Sequence, residues 1–77
     1  MKSVYSRRYD VFLRQLRAAR VQAGLTQAGV AKSLGVPQSW VSKSEVGERR
    51  VDIVELEQFA AIYGKPLSWF LPREGSR

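Results

Sequence analysis

The 77-residue chain contains no histidine and no cysteine. Without histidine it lacks the usual general base and the most frequent metal ligand. Without cysteine it has no thiolate ligand, no thiol nucleophile and no disulfide framework. Its longest unbroken apolar run, Phe59-Ala60-Ala61-Ile62-Tyr63, is far too short to span a bilayer. The first residues hold no apolar core of the signal-peptide kind. No carboxylates cluster: Glu55 and Glu57 lie two apart on a helical pattern and so face different ways. Enzymatic acid–base and metal chemistry therefore lack their usual residues. We expect a soluble, cytoplasmic protein without cofactor or metal. At this length the chain is near the lower limit for a self-sufficient core, which favours a bundle of short helices and makes a dimer plausible on stability grounds. One domain covering 1–77 is expected, with its core at about 7–71 and both ends flexible.

Acidic residues are also scarce, 7 against 13 basic ones, a net charge of +6. The excess is uneven. Residues 1–24 carry six basic side chains against Asp10, a net of +5. Residues 25–50 carry four against Glu45 and Glu48, a net of +2, and 51–77 carry three against four acids, a net of −1. A basic front and a slightly acidic back suggest an anionic partner at one face and a different task at the other. The plainer alternative is a solvated basic surface.

The stretch 25–45, LTQAGVAKSLGVPQSWVSKSE, organises the chain. Thr26 is a side-chain oxygen just ahead of a helical pattern, the usual N-cap. Val30, Ala31 and Leu34 then fall on one helical face. Gly35 follows, suited to the left-handed residue that ends a helix, and Val36 can plug the corner. Pro37 is tolerated in the first turn of a second helix. On that helix Val41 faces inward, while Gln38, Ser39, Ser42 and Lys43 face outward. Two short helices at a tight turn are a helix-turn-helix. Gln can pair with adenine, Lys can donate to guanine and Ser can bond several base edges, so the outward residues are candidate base readers. Thr26 and Gln27 lie at the positive end of the preceding helix, a natural anion site.

The residues Gly24-Leu25-Thr26-Gln27, Val30-Ala31, Leu34-Gly35-Val36, Gln38-Ser39, Val41-Ser42-Lys43 and Glu45-x-Gly47 resemble the helix-turn-helix of the Cro/CI-type, XRE-like regulators. The resemblance covers about three-quarters of the chain, 13–71. It implies an all-α, five-helix, lambda-repressor-like DNA-binding domain with its helix-turn-helix at helices two and three. It implies that Gln38, Ser39 and Lys43 read bases, that Gln27 bonds a phosphate, and that Arg20 and Glu45 form a partly buried ion pair. Three positions depart from the family pattern: Gly29, Ser44 and Val46.

Around this motif, an arginine-rich amphipathic helix is expected over 7–23 and a fourth helix from Asp52, with Glu55 completing a capping box, to Tyr63. Arg49 and Arg50, in the loop before it, are candidate phosphate contacts. Trp40 either trims the core beside Val36 and Ser44 or rests on the sugar–phosphate ridge. Four large apolar residues, Leu67, Trp69, Phe70 and Leu71, crowd a piece little longer than one turn. Those that do not close the core would form an interaction patch, and a twofold dimer interface is expected there. The reading that follows is a dimeric repressor on an inverted-repeat operator in double-stranded DNA, with no membrane association. The alternative is an antitoxin or adaptor that binds a partner protein through 67–71.

Overall fold

A computed structural model describes residues 6–72; the expectations of flexibility at the two ends fall on 1–5 and 73–77, outside the described residues. Four α-helices and one 3-10 turn follow in order, and the described residues form no strand. They are α1 (Arg7–Gln22), α2 (Gln27–Leu34), α3 (Gln38–Val46), α4 (Ile53–Tyr63) and the 3-10 turn Leu67–Phe70. The fold is all-α, as expected, but the fifth helix is corrected to a 3-10 turn. Gly64-Lys65-Pro66 and Pro72 leave too few residues between them for an α-helix to develop.

Each helix begins where a local acceptor or a fixed backbone angle allows it. Ser6 Oγ accepts from Tyr9 N at 3.1 Å to cap α1, and Thr26 Oγ1 accepts from Gly29 N at 3.0 Å to cap α2. Asp52 and Glu55 form the full capping box of α4: Asp52 Oδ1 accepts from Glu55 N at 2.8 Å, and Glu55 Oε1 accepts from Asp52 N at 3.0 Å. Pro37 is corrected from the first turn of α3 to the residue before it. Its ψ of 152° is extended, and its carbonyl accepts from Trp40 N at 3.0 Å. The turn between α2 and α3 passes through Gly35 at φ +72°, a left-handed conformation open to glycine without strain.

The core is one layer shared by all the elements. Phe12, Leu16 and Ala19 come from α1, Val30 and Ala31 from α2, and Val41 from α3. Leu56, Phe59, Ala60 and Tyr63 come from α4, and Phe70 closes the layer from the 3-10 turn. Leu16, Phe59 and Phe70 have no exposed surface. Truncating such a residue to alanine costs about 2–5 kcal/mol, since the lost transfer energy is joined by a cavity term. Phe70 is thereby taken out of the surface patch expected at 67–71. Leu67 and Leu71 remain exposed at 37% and 54%, and Trp69 is half-buried, its carbonyl accepting from Gln15 Nε2 at 3.0 Å. Among the described residues no helix is long and apolar enough to cross a membrane.

Candidate DNA interface

The core fixes α3 from beneath through Val41 and leaves its opposite face to solvent. Gln38, Ser39 and Lys43 are exposed there and Ser42 is half-buried. At the start of α2, Thr26 is exposed, and Gln27 is half-buried and aimed across the motif.

A chain of polar contacts joins the outer face to the interior. Arg20 donates from Nε to Glu45 Oε2 at 2.6 Å and from Nη2 to Glu45 Oε1 at 3.2 Å. Its Nη1 also bonds the Leu25 carbonyl at 3.1 Å, fixing the entry into α2. Gln27 Nε2 donates to Glu45 Oε1 at 3.0 Å, and Gln38 Nε2 donates to Gln27 Oε1 over a longer 3.4 Å. The two ion-pair side chains keep only 12% and 3% of their surface exposed. Buried charges persist when they are paired and hydrogen-bonded, and here both conditions hold. The bond to Glu45 raises the pKa of Arg20 further, outweighing the opposing effect of burial. One N–H of Gln38 goes to Gln27, while its Oε1 and second N–H bond no other described residue, the donor–acceptor edge that adenine requires.

The far side of α3 is held by a different cluster. Trp40 stacks on Phe59 with centroids 5.8 Å apart, and Phe59 in turn stacks on Tyr63 at 5.9 Å. The guanidinium carbon of Arg49 lies 4.0 Å over the Trp40 ring. Arg49 Nη1 donates to Ser44 Oγ at 3.1 Å and Nη2 to Glu55 Oε2 at 2.7 Å. Its neighbour Arg50 is exposed, with its guanidinium carbon 4.3 Å over the Tyr9 ring. Tyr9 Oη accepts from Val51 N at 3.1 Å, which ties the loop to α1.

This cluster accounts for Trp40 and Ser44. Trp40 packs inward between Phe59 and Arg49. Ser44, one of the three departures from the family pattern, is fully buried, and its hydroxyl donates to the Trp40 carbonyl at 2.7 Å while accepting from Arg49. Nothing in the structure requires a glycine at position 29: a Cβ there would meet Thr26 Oγ1 at 3.3 Å, and the equivalent cap positions of α1 and α4 hold Tyr9 and Glu55. Nothing in the structure explains Val46, which is 67% exposed at the end of α3. The signal for the Arg49–Glu55 pair lay in the capping box, which turns Glu55 back toward the loop and brings a basic loop residue within reach.

A short α2, a glycine turn and an α3 carrying outward polar residues define the helix-turn-helix class of DNA-binding proteins. The family model described as "Helix-turn-helix domain" matches residues 11–67. Among solved structures, the chain is similar to an XRE-family like protein from Pseudomonas syringae pv. tomato str. DC3000, with 40% identity and a TM-score of 0.77, over 90% of this chain and 86% of that one. No curated protein matches. The chain belongs to the XRE-like helix-turn-helix family of DNA-binding regulators.

Proposed function

We propose that the protein is a sequence-specific transcriptional regulator, a dimeric repressor that places α3 of each protomer in successive major grooves of an inverted-repeat operator. It works by binding and not as an enzyme. Gln38, Ser39, Ser42 and Lys43 read base edges. Thr26 and Gln27 at the start of α2, with Arg50 in the loop after α3, hold the flanking phosphates. The observation that carries the reading is the bonded chain from Arg20 through Glu45 and Gln27 to Gln38, which orients a base-reading amide before DNA arrives. Twofold pairing is supported by Leu67 and Leu71, whose apolar surface lies open beside the buried Phe70.

The test is an affinity selection from a random duplex pool at near-physiological salt. Enrichment of an inverted repeat with half-sites about one helical turn apart, roughly 34–36 Å, supports the proposal. Binding without enrichment overturns it. The exposed pair Leu67 and Leu71 also favours a second reading, an antitoxin or adaptor bound to a partner protein through this segment. DNA affinity that arises only in complex with a co-purifying partner would select that reading.

A further inference from the structure

Arg49 stands in the loop that follows α3, where a cation facing a phosphate would be the simplest reading. Its surroundings point elsewhere. One N–H of the guanidinium goes to Ser44, another to Glu55, and its face lies on Trp40. Its backbone N–H donates to the Lys43 carbonyl at 3.2 Å. Three of these four partners belong to α3. The fourth, Glu55, has its other carboxylate oxygen fixed by the cap of α4. The geometry thus ties the reading helix to a rigid neighbour through one planar group, whose fork and face are both engaged. A lysine ammonium has the charge but neither the plane nor the fork.

We infer that Arg49 is a positioning residue for DNA readout: it sets the tilt of α3 against α4, and so where Gln38, Ser39 and Lys43 stand in the groove, instead of gripping a phosphate. The inference rests on the base-reading proposal above. A bidentate side-chain–base pair tolerates little displacement, so a small rotation of α3 is read as lost discrimination and not as lost charge.

The experiment compares the wild-type chain with Arg49→Lys and Glu55→Gln, at a temperature where melting curves show each to be folded. The quantity measured is the ratio of affinities for the selected operator and a scrambled duplex, over a salt series. Arg49→Lys keeps the charge, and its salt slope should match wild type while the ratio falls about tenfold, the discrimination of one good base contact. Glu55→Gln keeps an oxygen to accept from Asp52 N and leaves every proposed DNA contact in place; its ratio should fall similarly. A phosphate contact behaves otherwise: Arg49→Lys keeps the wild-type ratio, and Glu55→Gln, by removing a negative charge, tightens operator and scrambled duplex by the same factor and leaves the ratio unchanged. Either result overturns the inference while base reading stands. If Arg49→Lys does not fold, Glu55→Gln decides alone. A wild-type chain with no preference for any sequence overturns the base-reading proposal and this inference with it.

Discussion

The two sides of α3 are held by contacts of the same chemical kind and of different depth. Toward α1 and α2, Arg20 and Glu45 form an ion pair with 12% and 3% of their side chains exposed. Toward α4, Arg49 and Glu55 form one with 26% and 21% exposed. Depth decides what each contributes. A charge left alone in the buried pair has lost its solvation as well as its partner, whereas water can still reach the shallower one. The deep pair therefore governs whether the motif folds, and the shallow one the angle at which the folded motif is presented. Tyr63 stands where the two sides meet, its ring stacked on Phe59 and its phenol near enough to Glu45 and Arg20 to feel both charges.

Glu45→Ala should break the comparison most severely. It strands Arg20 and removes the acceptor of Gln27, and we expect a loss of about 3–5 kcal/mol in urea denaturation. A loss under about 1 kcal/mol would make the two pairs equivalent. Ser44→Ala comes next, at about 1–2 kcal/mol by the same measurement, because a fully buried hydroxyl that both donates and accepts is removed. Arg49→Ala should cost about 1 kcal/mol or less in stability, as a partly exposed ion pair does, while affecting DNA discrimination far more. A thermal melt set beside the affinity ratio separates the two effects.

Tyr63→Phe should give the smallest change and the opposite sign. The hydroxyl is buried and finds no hydrogen-bond partner among the described residues, so its removal should be neutral or stabilising by about 0.5 kcal/mol. Burial also raises the pKa of this phenol above its ordinary value of 10.0. The unfolded chain then releases the proton near pH 10 while the folded chain retains it, so this contribution is constant below that pH and is lost as pH rises beyond it. Unfolding free energies from pH 8 to 11 should fall more steeply for wild type than for Tyr63→Phe. Parallel curves would remove Tyr63 from the account.

What the sequence made legible was local. The caps at Thr26 and Asp52, the glycine turn at Gly35 and the inward Val41 each depend on residues a few positions apart, and the all-α fold follows from them. Pro37 was misplaced by one residue, because its fixed φ suits both the first turn and the position before it, and only ψ separates the two. The Ser44–Arg49–Glu55 cluster was not legible as a unit. It joins a helix, a loop and a second helix, and each residue alone reads as something else: Ser44 as a departure from pattern, Arg49 as a phosphate contact and Glu55 as half of a capping box. Phe70 and Leu71 are adjacent large apolar residues, and no periodicity in so short a turn could say that the first is buried and the second open.

The bonded chain ending at Gln38 also bears on how such a protein could change its target. Ser39 and Lys43 carry side chains that bond no other described residue, so they can be exchanged without disturbing what lies beneath. Gln38 is the outermost link of a series that reaches Arg20 on α1, and replacing it alters the setting of Gln27 as well. On the proposed reading of bases, new specificities are most accessible through positions 39 and 43. Position 38 should change only together with 27, which on that reading makes the pair the conservative element and its neighbours the variable one.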